Sequence, residues 1–292
     1  MKHAIGSAKG RPDGLTSRAS VARAPRRWFA AALLVPVIAL LAAGAAHAQS
    51  ANLSAYSLVG NKSLRLGKNA HVKGGNVGVS QLIGPGARIG PNALFDDGTA
   101  VAASRLRVDP GASLYDAFYD VFLVTDGTPT IRDASADFSA RPGGLFSLPA
   151  PNFAPGSTPF TVAAGQSALL VSGAYGTVTV GEGATLELAG GVYQLAQLVV
   201  QNGGSVRAAA PVVVNVAKKL VAGERVFIGP KSGSNVGHAQ IRFNIGAKAV
   251  TYGRKTTLVG IFYAPQSKVR LLAQAALRGQ VVGNDVRVAG VC

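Results

Sequence analysis

The sequence predicts an all-β chain folded as a parallel β-helix, or solenoid, preceded by a signal peptide. Two observations carry that prediction. Equivalent residues recur near a twenty-residue step: Val180, Val200 and Leu220; Gly183, Gly203 and Gly223; Leu186, Val206 and Val226. Between them, "TVTVGEGATLEL" alternates apolar and polar residues on both sides of a glycine turn, a period of two rather than 3.6. A fixed period of that length means that each turn of the chain makes short strands and the next turn stacks on it in parallel. β-branched residues suit the inward ladders because they are stiff and fit a pleated surface. Glycine, at 37 of 292 residues, supplies turns that need positive φ. A β-sandwich of evenly spaced hairpins needs no such recurrence. The handedness rule for parallel crossovers makes the solenoid right-handed.

Residues 1–48 read as a signal peptide with a long basic region. Arg23, Arg26 and Arg27 precede an apolar run from Trp28 to Ala46, and Ala46-His47-Ala48 is a small-residue cleavage site. Cleavage is expected after Ala48, giving an exported protein: periplasmic, surface-bound or extracellular. An uncleaved anchor is the competing reading, since about 19 apolar residues can just span a bilayer. A translation start at Val21 competes for the N-terminus, and Arg26-Arg27-Trp28-Phe29 resembles a twin-arginine signal.

Residues 49–140 form a less regular solenoid part, aligned here on "LGKNAHV" from Leu66, "IGPGARI" from Ile83 and "VDPGASL" from Val108. "SLYDAFYDVF", 113–122, reads as a strand pair or a short capping helix. Residues 141–160 carry five prolines, which forbid a continuous ladder. They read as an extended crossing strap, with a flexible linker the competing reading; Leu145, Phe146, Leu148 and Phe153 favour the strap, as residues expected to dock on the stack. Residues 161–292 form the regular C-terminal solenoid. There the step becomes nineteen at Val250, Val269 and Val288, after a loop at 229–240. Gly260 and Gly279 keep that step, as do Phe262 and Val281.

Charge is uneven. The chain is +16 overall, and from Gln49 onward 22 basic residues face 12 acidic ones. Residues 49–200 carry −1 net and residues 201–292 carry +11. Such a field attracts polyanions, which outside the cytoplasm are acidic polysaccharides, envelope phosphates or free DNA. It also keeps a long parallel stack soluble. The basic candidates are Lys218, Lys219, Arg225, Lys231, Arg254, Lys255, Lys268, Arg270, Arg278 and Arg287, with Lys268 and Arg287 expected to align one rung apart. Cys292 is the only cysteine, so an exported chain has no internal disulfide and relies on packing. Cys292 is read as a bystander rather than an intermolecular link.

Three stretches together resemble a family of exported bacterial parallel β-helix proteins. They are "RVDPGASLYDAFYD", the run from "LPAPNFAPGSTP" through "GATLELAGGVYQL", and "YAPQSKVRLLAQAALRGQVVGNDVRV". The resemblance covers the chain from about Ala103 onward and implies fold and compartment; no established reaction comes with it. "SGAYG" and "APQSK" depart from the family's turns. Bactofilin-like polymer-forming solenoids share the architecture by analogy alone.

Chemistry is sparse. Glycoside hydrolysis needs a carboxylate pair about 5–10 Å apart. The nearest candidates are Asp116 and Asp120, beside Tyr115 and Tyr119, read first as an edge or end cap and second as the catalytic pair of a polysaccharide lyase or hydrolase. His71 and His238 lie far apart with no ligand cluster, so no metal or cofactor is expected. Ice binding needs regular threonine ladders; Thr177 and Thr179 are followed one turn later by Gln197 and Val199, which do not continue them. Aromatic interleaving that would favour single-stranded nucleic acid is weak, because Phe227, Tyr252, Phe262 and Tyr263 are expected to pack inward. The leading expectation is a structural or adhesive solenoid able to bind anionic polymers or self-associate.

Overall fold

A computed structural model describes residues 53–81, 83–121, 127–137 and 148–290. The signal segment, Leu145, Phe146 and Cys292 lie outside the described residues. The N-terminal stack holds β1 (Tyr56–Leu66), β2 (His71–Val72), β3 (Asn76–Val79), β4 (Gly86–Ile89), β5 (Leu94–Phe95), β6 (Ala100–Ala102), β7 (Leu106–Val108), β8 (Ser113–Phe118) and β9 (Thr130–Ser135). The C-terminal stack begins with β10 (Phe160–Val162), β11 (Ser167–Leu170), β12 (Gly173–Val180), β13 (Thr185–Leu188), β14 (Gly191–Val200) and β15 (Ser205–Ala208). It continues with β16 (Val212–Ala222), β17 (Phe227–Pro230), β18 (Ile241–Ile245), β19 (Ala249–Tyr252), β20 (Thr257–Leu271) and β21 (Ala276–Val288). Every registered pairing is parallel, and the chain is a β-solenoid of about 11 turns. No α-helix occurs among the described residues; β8 is a strand, and the loop before β18 holds one 3-10 turn, His238–Gln240.

The two stacks are joined end to end in an order that the chain does not follow. β1, the first strand, pairs with β21, the last, over Leu58↔Val281 to Leu66↔Val288. On its other side β1 pairs with β3 and β4. Hydrogen-bond polarity is continuous across this seam. The Ala289 N–H donates to Leu271 O, Gly67 N–H to Val288 O, and Gly90 N–H to Leu66 O. The stack therefore runs from β10 to β21 and then from β1 to β9.

One inward ladder crosses the whole junction. Val178, Leu198, Leu220, Val250, Val269, Val286, Leu64, Ala87 and Leu106 follow in register. None is more than 3% exposed. Each large member contributes about 1.5–3 kcal/mol by leaving water.

The strap crosses the rungs from outside. Leu148 packs on an outer cluster of Leu53, Tyr56, Val59, Ala102, Tyr263 and Val282, at the seam. Tyr263 Oη donates to Pro149 O at 2.7 Å, Ala154 N–H donates to Gln194 Oε1, and Gly176 N–H donates to Thr158 O. Phe153 lines a small pocket with Ala217, Ile245 and Gly246. From Pro149 to Thr158 the strap thus steps past successive rungs of the C-terminal stack before entering β10.

Several expected registers shift. Val180 does face Val200, and Leu186 faces Val206. One turn later Val200 faces Ala222, not Leu220, and Val206 faces Ile228, not Val226. Two residues are added: one in the turn before β16, since Leu188 faces Ala208 but Gly191 faces Val212, and one within β16, since Leu195 faces Val216 but Gln197 faces Lys219. Val269 faces Val286, and Val288 faces Leu271. In the N-terminal stack Leu66 faces Ile89, then Val108, so "IGPNALF" and not "IGPGARI" is the equivalent stretch. Ile83 is exposed at a corner.

Candidate functional site

The outward face built by the second half of β1, by β4, β7, the ends of β20 and β21, and by β19 concentrates charge. Successive outward residues face one another in register: Thr251, Arg270, Arg287, Arg65, Arg88 and Arg107. Five arginines thus occupy five consecutive rungs. Two come from the C-terminal stack and three from the N-terminal stack, and the seam lies between Arg287 and Arg65. Upstream of Thr251 the same column reads Thr179, Val199 and Val221. Basic character therefore starts abruptly at β20.

Asp109 organises one end of the column. It is buried, accepting from Arg88 Nε at 3.0 Å and Nη2 at 2.8 Å, and from Arg107 Nε at 3.2 Å. Its backbone N–H donates to Ile89 O, which seats it at the end of β7 beside the rung that carries Arg88. Arg65, Arg270 and Arg287 are exposed, and their guanidinium groups make no hydrogen bond or ion pair among the described residues. The flanking column carries Lys268, Asp285 and Ser63, with Ser63 Oγ donating to Asp285 Oδ1 at 2.6 Å.

The ten basic residues expected from the sequence do not form one site. Lys268, Arg270 and Arg287 share the face just described, but Lys268 faces Asp285; the rung partner of Arg287 is Arg270. Lys219 lies farther up the same face, opposite Gln197, and Lys218 sits beside it in the bulge. Arg225 and Lys255 occupy left-handed turn positions, and Arg254 lies in the same turn. Lys231 is paired with Glu187 at 2.7 Å. Arg278 stands on a different ladder, opposite Val259. Charge counting by segment missed Arg65, Arg88 and Arg107, because their half of the sequence is neutral overall.

Asp116 does not share a strand with Asp120. Asp116 is in β8, facing Asp133 on the next rung, while Asp120 lies past the strand end with its N–H on Ser104 O. Arg132 stacks over the Tyr115 ring at 4.4 Å beside them. No group of three or more His, Cys, Asp or Glu that could hold a metal occurs among the described residues. His71 Nε2 lies 2.6 Å from Asp96 Oδ1. A cavity of about 310 Å³ opens at the seam between β2 and the start of β21, lined by Leu66, Val72, Leu271, Leu277 and Val288, with His71, Lys73 and Arg278 also in its wall.

The expected aromatic packing holds for Tyr252 and Phe262, which are buried. It fails for Phe227, which faces outward under Arg207 at 5.4 Å, and for Tyr263, which is buried outside the stack beneath the strap. Thr177 faces Gln197 and Thr179 faces Val199, so no threonine ladder extends there. No helix among the described residues is long and apolar enough to cross a membrane.

No family model matches the chain, and no curated protein does. Among solved structures, the crystal structure of an ice-binding protein from an Antarctic ascomycete, Antarctomyces psychrotrophicus, is similar at 14% identity. The match covers 82% of this chain and 93% of that chain, with a TM-score of 0.32. A likeness of that size carries no argument about what this chain binds.

Proposed function

We propose that this protein is an exported β-solenoid of structural or adhesive type that binds anionic polymers, in the cell envelope or outside the cell. The observation that carries the reading is the outward basic face: Lys268, Arg270, Arg287, Arg65, Arg88 and Arg107 on contiguous rungs, with the half-buried Asp285 among them held by Ser63. A concentrated field of one sign draws in polyanions and gives salt-dependent association. The signal-like residues 1–48 and the motif resemblance to exported β-helix proteins support the compartment.

The competing reading is a polysaccharide lyase or hydrolase. Its one structural support is the adjacency of Asp116 and Asp133 on neighbouring rungs. One experiment separates the two. The purified protein is titrated against acidic and neutral envelope polysaccharides at two salt concentrations, and the same mixtures are assayed for unsaturated and reducing sugar. Salt-sensitive binding to acidic polymers without product is expected. Product release abolished by Asp116→Asn would replace this reading with the enzyme. Absence of any binding to acidic polymers would refute it.

A further inference from the structure

The arginine column sets the ligand's chemistry and length. We infer that Arg270, Arg287, Arg65, Arg88 and Arg107 form a linear subsite for an extended acidic polysaccharide whose sugar units bear carboxylates. The inference rests on the polyanion reading above and specifies its site and ligand class.

Three features lead there. The first is spacing. Five arginines on successive rungs have backbones that repeat at the strand spacing of about 4.8 Å, so the column is about 19 Å long. An extended pyranose chain advances by roughly one rung per sugar, so a uronate chain of four or five units runs the length of the column. The second is the donor type. Arginine offers a planar fork that takes a carboxylate in two parallel hydrogen bonds, which lysine cannot do. Asp109 shows that the column's guanidinium groups hold a carboxylate: Arg88 gives both Nε and Nη2 to one of its oxygens, and Arg107 gives Nε to the other. The third is what the column lacks. No aromatic side chain stands in it, so bases of a single-stranded nucleic acid would find no stacking platform.

The five arginines divide the work. Arg88 and Arg107 are held in place by buried Asp109 and form a preset end. Among the described residues no acid is paired with Arg65, Arg270 or Arg287, so the ligand's carboxylates supply their counter-charge. Arg287 and Arg65 belong to opposite ends of the chain, so the subsite is complete only when the seam is closed.

The probes are oligogalacturonates of two to eight units. The controls are methyl-esterified oligogalacturonate, polyphosphate and oligo(dT). Affinity is expected to rise with length to about four or five units, the column's length at one sugar per rung, and then flatten. Arg65→Gln/Arg270→Gln/Arg287→Gln together are expected to weaken binding at least tenfold and to reduce the salt slope by about three. Lys73→Gln/Lys231→Gln/Lys255→Gln remove the same charge away from that face and are expected to cost less than about threefold. Replacing the three arginines by lysine keeps the charge and is expected to erase the preference for uronate over polyphosphate. Thermal unfolding of each variant confirms that these outward changes leave the fold intact.

Equal loss in the arginine and lysine sets would overturn the subsite while leaving polyanion binding in place. Polyphosphate or oligo(dT) binding as tightly as the uronates would overturn the carboxylate assignment. Failure of every polyanion to bind would overturn the broader reading with it.

Discussion

Arg225, Lys255 and Gln274 hold φ between 56° and 62°, where glycine is the ordinary occupant. They stand in a turn column that also contains Gly165, Gly183, Gly203, Asn69, Asn92 and Gly111, all at positive φ. The backbone needs that conformation at each turn, because the N–H of the left-handed residue donates to the next rung. Gly183 donates to Asn202 O, Gly203 to Glu224 O, Arg225 to Arg254 O and Lys255 to Ala273 O. A side chain in the left-handed region costs about 1–2 kcal/mol, partly offset by the extra chain entropy that glycine loses on folding. Lys255→Gly is therefore expected to raise stability by up to about 1 kcal/mol in urea denaturation. Gly183→Val is expected to lower it by about 1–2 kcal/mol, through backbone strain alone, since a Cβ there meets nothing within 4 Å. A destabilised Lys255→Gly would show that the lysine side chain holds the turn. The sequence repeat made Gly183 and Gly203 legible as turn residues. It mistook Gly223 for their successor, because Arg225 fills the conformation without looking like a turn.

At the scale of elements, the strap is fastened to the stack by Tyr263. Its hydroxyl donates to Pro149 O, and its ring packs with Tyr56, Val59 and Val282 under Leu148. Burial raises the Tyr263 phenol to about 12, against the smaller opposing pull of Arg242. The folded state therefore holds this proton more tightly than the unfolded chain does. The resulting stability is complete below about pH 10 and falls as pH climbs from there toward 12. A shift of that size is worth roughly 2–3 kcal/mol. Tyr193 and Tyr252 are also raised by burial, so the informative quantity is the difference between the native protein and Tyr263→Phe. The variant is expected to lose about 1 kcal/mol at pH 7, with the hydrogen bond, and to show a shallower alkaline decline. Identical alkaline slopes would remove Tyr263 from the account. Proline spacing made the strap readable, and Leu148 and Phe153 do dock. The outer cluster beneath it was not readable, because Tyr56 and Tyr263 lie 207 positions apart and share no local signal.

At the scale of the whole molecule, the feature that no periodicity reports is the meeting of first and last rungs. Stacking order within each part follows from steps of 16 to 24 residues, apart from the steps of 29 and 30 that the loop before β18 creates, from Val212 to Ile241 and from Ala222 to Tyr252. The join of β1 to β21 follows only from tertiary structure, and with it the arginine column that spans both parts. A stack of rungs behaves as a chain of nearest-neighbour couplings, so the seam decides whether the two parts melt together. The N-terminal stack is the weaker partner, for apart from β1 its strands are only two to six residues long, whereas the C-terminal stack has strands of up to 15. Leu64 sits at the coupling itself, 1% exposed between Val286 and Ala87. Leu64→Ala should cost about 2–4 kcal/mol, and should cost it largely at the seam. Leu186→Ala removes an equally buried side chain within the C-terminal stack, far from the junction. Calorimetry is expected to give one transition for the native protein and for Leu186→Ala, the second merely shifted down. Leu64→Ala is expected to give two, the N-terminal stack melting first. A single transition in Leu64→Ala, with calorimetric and van't Hoff enthalpies equal, would mean that the strap and the remaining seam pairs hold the parts together without that contact.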